Sequence, residues 1–474
     1  MRASAAVEKL DLPTVSLVCD GFAIQGSSTA AGLGMPNLPM VAYPGPVNLH
    51  SVEEVEKNVV AVMIDQVIKG LTVQPEEAKP SPEPGPRDTV FKGTFEEVNE
   101  FFYEKEWGDG LPIVPPAIEK VEEFLKYTDR SADEVIGVLL PDKRESTVWN
   151  VAVNGVMAGC RPEYMPVLVA VVEAMADPKF GQEHLGNTPG TEILITINGP
   201  IIKDLGFNYE QGALRVGFQA NTSIGRFWRL YLRNVAGFLL HKTDKGTFGG
   251  TWRVVLAENE DALAKIGWEP MSVDQGFKAG DNVITINSIT STDSVFNVGV
   301  ATTNFGVATT NFGAATTNFG AATAEEMLDT LAARIVDIQL RLLLLNFVGL
   351  SVRPQVLLSP CVAEALARSG YSKEKVKQYF YEHARFPAKR YEQHGPADLG
   401  TFYDAAKKGM MPKQYCESTD PNRLLPIVWS PDDFMITVSG DPGRDNCFAC
   451  GQNGFIGYPT SKKIELPANW GLRS

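Results

Sequence analysis

The sequence predicts an α/β protein in which a small N-terminal β-α-β-α unit is joined by a proline-rich linker to a larger α+β domain. Strand-like and helical patterns alternate over residues 14–71. Five prolines then follow between residues 74 and 87. From Thr94 onward, helical patterns are mixed with short β-branched apolar runs. These three observations give the order of the predicted units.

Composition and charge exclude several classes of protein. With 474 residues, of which 44% are hydrophobic, the chain can bury a full core and is not a disordered protein. The sequence holds 43 basic and 57 acidic residues, a formal net charge of −14. This excess of negative charge argues against nucleic acid and anionic membrane surfaces as partners.

The absence of recognisable targeting signals and the usage of cysteine both favour the cytoplasm. The first residues carry no apolar run of the kind that a secretory signal contains. The longest apolar stretch, Leu342–Val352, is shorter than the roughly 20 residues of a membrane span. Five of the six cysteines show no metal-like or disulfide-like spacing relative to one another, as is usual in a reducing compartment. We therefore expect a cytoplasmic protein without a membrane partner.

The N-terminal unit, residues 1–73, is predicted to be a partial Rossmann-like fold. Strands are expected at Thr14–Cys19 and Leu38–Tyr43, and a helix at Ser51–Leu71, where Ser51 and Glu54 have the spacing of a capping box. Parallel strands usually belong to larger sheets. We therefore expect this unit to complete its sheet with another part of the chain or with another subunit, in a homo- or hetero-oligomer.

The remaining sequence is divided into four regions. A stiff linker over residues 74–90 precedes an α+β substrate domain at 91–290, a repeat loop at 291–323 and a C-terminal α/β region at 324–474. Within the substrate domain, helices at Thr147–Ala158 and Glu163–Met175 are expected to meet at a corner. Gly159 suits the end of the first helix and Pro162 the start of the second.

A seven-residue repeat fills Ala301–Ala321 in three nearly identical copies, each with the pattern ATTNFG followed by Val or Ala. Asn, Gly and Thr in every copy oppose helix formation, which excludes a coiled coil. Loops accept insertions readily, because each doubling of loop length costs only about 0.6 kcal/mol. We predict an exposed loop or hairpin without a catalytic role.

Three arginines among large apolar residues mark the first candidate site. On an α-helix, Arg226, Arg229 and Arg233 fall within an arc of about 60°, and aromatic and leucine side chains cover most of the remaining circumference. Guanidinium groups bind carboxylate or phosphate through two donors at once, so the row predicts a site for an anionic group. The alternative is that these arginines pair with the chain's own acidic residues.

Cysteines supply the candidate reactive groups. Cys447 and Cys450 form a Cys-x-x-Cys pair directly after a predicted strand, a setting in which a helix N-terminus lowers the pKa of a thiol. Cys160 lies beside Arg161 at the predicted corner, which also favours thiolate. The alternative for all three is that they are buried or incidental small residues.

Two glycine-rich loops are further candidates for the site, whereas the histidines are not. The loop Trp107–Pro116 carries Asp109, as a base or as a turn-forming residue, and Thr243–Gly250 is a polar loop able to close over a ligand. The five histidines show no metal-binding spacing, and no nucleotide-binding fingerprint is present, so no metal is predicted and no cofactor is assigned.

Five blocks of sequence resemble the UGSC-type (seleno)protein family. The blocks are WGDGLP (107–112), NGVMAGCRPEY (154–164), NGP (198–200), ANTSIGR (220–226) and AENE (257–260). The resemblance extends from about Phe91 to Trp470, and residues 1–73 resemble the later part of that family's first domain. The family is named for a tetrapeptide of selenocysteine or cysteine followed by Gly-Ser-Cys, which implies thiol or selenol chemistry.

The tetrapeptide itself is missing from this chain. Its nearest counterpart, Gln25–Ser28, contains no sulfur. The resemblance therefore implies either that the role of the tetrapeptide is absent or that a separate polypeptide supplies it.

These observations lead to two functional hypotheses. The first is an enzyme or enzyme subunit that binds a small, carboxylate-bearing substrate and uses thiol-dependent redox or lyase chemistry. The second is a non-catalytic subunit that completes the site of a hetero-oligomeric partner. The residues assigned to the site are Cys160, Cys447 and Cys450 for catalysis, and Arg226, Arg229, Arg233, Asn221, Arg161, Asp109 and Trp107 for substrate binding.

Overall fold

The computed structural model describes residues 1–73, 84–250, 253–296, 323–340, 351–392 and 401–471. Two compact units contain them. Unit 1 comprises residues 1–165, 185–190 and 227–248, and unit 2 comprises residues 166–184, 191–226 and 249–474. The mixture of helices and sheets confirms the predicted α/β class. In the part of the chain that is described, no helix combines the length and the apolar character needed to cross a membrane.

The N-terminal region of unit 1 has the predicted β-α-β-α order. After a first helix, α1 (Arg2–Glu8), strand β1 (Ser16–Cys19) pairs in parallel with β2 (Met40–Tyr43), and α2 (Ala23–Gly32) connects them. Among the described residues these two strands form a sheet of their own.

A continuous helical run follows β2. It consists of α3 (Val52–Asn58), a π-helical turn (Val59–Met63) and α4 (Ile64–Thr72). The predicted capping box is present, because Glu54 N donates to Ser51 Oγ at 3.3 Å and Ser51 N donates to the Glu54 carboxylate at 2.8 Å. One face of this run packs through Met63 against Val41 and Tyr43 of β2.

The rest of unit 1 is mainly helical. Thr147 caps α7 and ends a short antiparallel hairpin, so the hairpin leads directly into the helix. A last helix, α8, begins at the end of this stretch. The elements are α5 (Phe95–Glu104), α6 (Ile118–Leu125), β3 (Val135–Leu139), β4 (Arg144–Thr147), α7 (Val148–Met157) and α8 (Met165–Ala176, which belongs to unit 2 from Pro166 onward).

Unit 2 contains a mixed seven-stranded sheet. Its order is β11-β8-β12-β7-β5-β6, with β13 also paired to β7; the pairs β11–β8 and β5–β6 are parallel and the others antiparallel. A separate short ladder joins β9 and β10. The strands are β5 (Glu192–Asn198), β6 (Val255–Ala257), β7 (Val283–Phe296), β8 (Gln355–Leu358), β9 (Arg385–Pro387), β10 (Leu424–Pro426), β11 (Met435–Val438), β12 (Asn446–Gln452) and β13 (Thr460–Lys463).

Helices of unit 2 cover this sheet, and strands β5, β8 and β11 are buried along their whole length. Burial on both faces explains why they are nearly continuous apolar runs. The helices are α9 (Ile201–Asp204), α10 (Gln219–Tyr231, which ends in unit 1), α11 (Glu260–Ile266), α12 (Met271–Asp274), α13 (Ala324–Gln339), α14 (Pro360–Arg368), α15 (Lys373–His383), α16 (Ala388–Glu392) and α17 (Phe402–Lys407).

Two predicted segments fall outside the described residues: part of the linker, at 74–83, and the whole repeat, at 301–321. The division into five regions therefore stays a prediction.

Candidate functional site

The arginine row lies on a helix, as predicted, but the winding of that helix changes before it ends. Helix α10 starts at Gln219, so Thr222 and Ser223 lie inside its first turns. Ser223 Oγ donates to Gln219 O at 2.7 Å. From Leu232 to Ala236 the helix continues as a π-helical turn and ends at Gly237, whose φ is +87°. The 60° arc assumed α-helical winding up to Arg233, and the π turn changes the direction of that last arginine.

Large apolar side chains surround most of this helix. Phe227, Trp228, Leu230 and Tyr231 are almost completely buried, whereas the three arginines are half-buried. Gly225 allows a close approach within unit 2, because a Cβ at this position would overlap the backbone of Val254. Burial of the helix on most sides, expected from the sequence, is therefore confirmed.

Arg229 and Arg233 belong to unit 1, whereas Arg226 belongs to unit 2. Arg233 donates from Nη2 to the backbone oxygen of Glu106 at 3.1 Å. Its Nε is buried and has no hydrogen-bond partner among the described residues. Burial lowers the pKa of Arg233 and the charge of Arg229 lowers it further, whereas Glu106, Asp109 and Asp244 act in the opposite direction.

Acidic residues stand next to these two arginines, as the alternative hypothesis expects. Arg229 Nη1 is 3.7 Å from Asp244 Oδ2. This is longer than a charge-assisted hydrogen bond, which usually measures about 2.7–2.9 Å. Glu106 forms an ion pair with Lys242. Arg233 therefore has both cationic groups and carboxylates as neighbours.

The loop Trp107–Pro116 has no regular structure, as predicted, and it is anchored to α5. The ring of Trp107 packs edge-on against Phe101 and Phe102, with centroids 5.8 and 5.4 Å away. Asp109 accepts a hydrogen bond from Leu111 N at 3.3 Å, which is the turn-forming role. The same carboxylate also acts on the pKa of Arg233, so the loop and the arginines are neighbours.

The corner at Cys160 has the predicted geometry. Helix α7 ends at Met157, Gly159 has a φ of +77°, and a 3₁₀ turn begins at Pro162. Cys160 is half-buried between them, and its backbone N donates to Gly155 O at 3.0 Å. Val114 N, at the end of the Trp107 loop, donates to Met157 O at 3.3 Å.

A hydrogen bond between two asparagines joins this corner to the arginines. Asn234 Nδ2, one residue beyond Arg233, donates to Asn154 Oδ1 of α7 at 2.9 Å. Asn234 Oδ1 is buried and, like Arg233 Nε, has no hydrogen-bond partner among the described residues. Unit 1 therefore contains a buried donor and a buried acceptor, on consecutive residues, for which the described part of the chain supplies no partner.

Arg161, the neighbour of Cys160, contacts residues of the same corner. Its side chain is 56% exposed, forms an ion pair with Glu163, and lies over the ring of Tyr164 with 5.9 Å between Cζ and the centroid. Burial raises the pKa of Tyr164.

Asn221, predicted to bind substrate, holds the backbone of unit 2 through its side-chain amide. Its Nδ2 donates to Val255 O at 2.8 Å and to Asn208 O at 3.0 Å, and its Oδ1 accepts from Asn208 N at 2.8 Å. These three bonds occupy both ends of the amide, and the binding role stays a prediction.

The predicted setting of Cys447 and Cys450 is wrong. Both lie inside strand β12, paired with β7 and β8, and not at the N-terminus of a helix. Three positions along a strand direct the two thiols to opposite faces, and each packs in a different part of the core. Cys447 is 2% exposed and Cys450 0%. Burial raises the pKa of both thiols, so neither setting favours thiolate.

Several residues of this neighbourhood have no role assigned from the sequence. Asn154 and Asp244 belonged to segments already singled out, namely the second family-like block and the polar loop at 243–250. Nothing distinguished Glu106, Lys242 or Asn234, because their importance depends on partners 80 or more residues away.

Unit 2 has a cavity of about 520 Å³ that contains none of the predicted site residues. It lies where the chain leaves β6, β8 and β11, and Asn259, Cys361 and Pro442 line it. The thiol of Cys361 donates to Arg444 O at 2.8 Å, and burial raises its pKa, so this cysteine is held as a thiol. Among the described residues, no group of three His, Cys, Asp or Glu side chains is arranged to hold a metal ion.

Comparison with known proteins gives one match. Residues 1–73 match the model of the UGSC family. No curated protein and no solved structure matches the chain. The matched residues coincide with the β-α-β-α region of unit 1, and the family-like blocks between residues 107 and 260 lie outside them.

Proposed function

We propose, on the premise that residues 1–73 match the UGSC family, that this protein is an enzyme or enzyme subunit acting on a small, carboxylate-bearing substrate. In this proposal the carboxylate binds beside Arg229 and Arg233, and Cys160 supplies the thiol for redox or lyase chemistry. Arg226, on the same helix, stays a candidate for the same role.

The observation that carries the proposal is the pair of unsatisfied polar atoms, Arg233 Nε and Asn234 Oδ1. Buried polar groups in proteins almost always have hydrogen-bond partners, and each exception calls for an explanation. A bound carboxylic acid supplies one, because a carboxylate oxygen accepts from the guanidinium and a hydroxyl or amine on the same molecule donates to the amide oxygen.

Cys160 is the preferred thiol because of its surroundings. It is half-buried, whereas Cys447, Cys450 and Cys361 are buried and have raised pKa values. No disulfide joins any of the six cysteines, all of which the structure describes; this supports a reducing compartment, and we therefore propose the cytoplasm.

The test is calorimetric titration of the full chain with a panel of small mono- and dicarboxylates, each with and without a hydroxyl or amino group. Arg233→Lys keeps the charge but removes Nε and the planar donor fork. Losing a hydrogen bond to a charged group costs about 1.5 to 3 kcal/mol, so we expect affinity to fall about tenfold or more. Arg229→Lys is measured in parallel.

The control is Arg390→Lys, since that arginine is half-exposed and pairs with Asp337 in unit 2. It should bind as the wild type does. If no carboxylate binds, or if Arg233→Lys binds as well as the control, the arginines serve only to pair with the chain's own acids and the proposal fails.

The second hypothesis, a non-catalytic subunit, is favoured by two observations. The parallel pair β1–β2 has no third strand among the described residues, and the sulfur-free string Gln25–Ser28 lies within α2. A partner polypeptide carrying the tetrapeptide would complete both the sheet and the thiol chemistry. Native mass spectrometry of the protein purified from its own source tests this, and a mass equal to one chain or to copies of one chain contradicts it.

A further inference from the structure

The outward face of the helical run at residues 52–72 is apolar although it is exposed. Val60 is 70% exposed, Ile64 43% and Ile68 54%. The opposite face packs through Met63 on strand β2. A helix that is apolar on both sides is normally covered on both sides. We call the exposed side, from Glu53 to Lys69, the outer helix face.

Charged residues on the outer helix face are arranged symmetrically. Glu53 and Lys57 precede Ala61 by eight and four positions, and Asp65 and Lys69 follow it by four and eight. All five residues are exposed. Within the described chain, none of the four charged side chains forms an ion pair or a side-chain hydrogen bond, so their charges are available to a partner.

This order of charges is complementary to itself in one orientation. When two copies of the helix pack antiparallel and cross at Ala61, Glu53 of each copy faces Lys69 of the other, and Lys57 faces Asp65. A parallel arrangement would instead bring like charges together. A twofold interface needs such self-complementarity, because the same surface is used by both subunits.

We propose that the outer helix face binds a second copy of this chain, antiparallel and with the twofold axis at Ala61. In this arrangement the exposed side chains of Val60, Ile64 and Ile68 of the two copies pack on one another beside Ala61. The small side chain of Ala61 lets the helix axes approach to the 8–10 Å of close helix packing. The apolar face is then removed from water and the four charges pair across the interface.

The surface is separate from the carboxylate site. Residues 53–69 include none of Cys160, Arg229 and Arg233, so the dimer can exist whether or not the proposed function is correct.

Analytical ultracentrifugation of the full chain tests the proposal. We expect the wild type to dimerise. Lys57→Glu places like charges opposite each other twice, once on each side of the axis, and should raise the dissociation constant about tenfold or more. The double variant Lys57→Glu/Asp65→Lys exchanges both partners and should restore dimerisation.

A mixing experiment makes the test specific for this geometry. Lys57→Glu and Asp65→Lys should each dimerise poorly alone, but an equal mixture should form a heterodimer, because the new carboxylate of one variant then faces the new ammonium group of the other. Lys120→Glu, an exposed residue of α6, is the matched control and should dimerise as the wild type does. A monomeric wild type, unchanged dimerisation of Lys57→Glu, or a double variant that does not recover would each overturn the proposal.

Discussion

The side-chain amide of Asn234 donates a hydrogen bond to the side-chain oxygen of Asn154 over 2.9 Å. Asn154 is buried in α7 and donates in turn to Asn150 O at 2.9 Å. The bond connects the residue after Arg233 to the helix that ends at the Cys160 corner. The candidate thiol and the candidate anion-binding group are therefore held by one hydrogen-bonded chain of residues.

Asn154→Ala should destabilise the protein. The substitution removes the acceptor of the Asn234 amide and leaves that donor buried without a partner, which costs about 1 to 3 kcal/mol. The measurement is the urea midpoint followed by circular dichroism. Asn422→Ala, at an exposed position, is the control and should unfold as the wild type does. Equal midpoints for the two variants would show that the Asn234–Asn154 bond contributes nothing.

Cys160 should react with iodoacetamide in the native protein, whereas Cys447 and Cys450 should react only after denaturation. The reason is the half-exposure of the first thiol and the burial and raised pKa of the other two. Time-resolved labelling followed by peptide mass spectrometry gives the three rates in one digest. Native labelling of Cys447 or Cys450 would mean that β12 opens readily, and a Cys160 that is silent until unfolding would remove it from the proposed chemistry.

The ion pair between Lys462 and Asp177 should make unit 2 sensitive to acid. Burial alone would raise the pKa of Asp177, but hydrogen bonds from Lys462 Nζ at 2.8 Å and from Lys179 N at 3.0 Å lower it overall. A carboxylate whose pKa is lower in the folded state stabilises the protein above its unfolded pKa of about 4. That contribution is lost as the pH falls through the folded pKa.

Lys462→Met should therefore have a lower melting temperature than the wild type near pH 6, and the difference should shrink as the pH falls toward 3. Differential scanning fluorimetry across this range measures the effect. Lys413→Met, at an exposed lysine, provides the comparison. A difference that stays constant with pH would show that Asp177 does not titrate with a lowered pKa.

Deleting one copy of the repeat, Ala308–Ala314, should leave the melting temperature and ligand affinity nearly unchanged. The expectation comes from the sequence, since these residues lie outside the described ones, and from the weak dependence of loop closure on length. A large fall in the melting temperature would identify the repeat as packed structure.

Local signals in the sequence predicted much of the fold. The Ser51 capping box, the Gly159–Pro162 corner and the apolar character of α10 depend on neighbours within a few residues, and all three are present. The position of Cys447 and Cys450 depends instead on pairing with residues of β7 more than 140 positions earlier. After the turn at Gly440–Gly443 the chain is able to enter a helix or a strand, and only those distant partners decide which.

The candidate site shows the same division. The sequence singled out the arginines, the Trp107 loop and the Cys160 corner, but not how they are connected. Asn221 looked like a binding residue because it stands at a polar entry to a helix. Its side-chain hydrogen bonds join it to Asn208 and Val255, which no local pattern links to it.

The π-helical turn at Leu232–Ala236 has a consequence for evolutionary comparison. A homologous chain one residue shorter in this turn would close it as an ordinary α-helix, and the side chains inside the turn would take up new positions around the helix axis. Its counterparts of Arg233 and Asn234 would then point in other directions even if the residue types were retained. The length of this turn, more than the identity of the arginines, should therefore separate relatives that share the site from those that share only the fold.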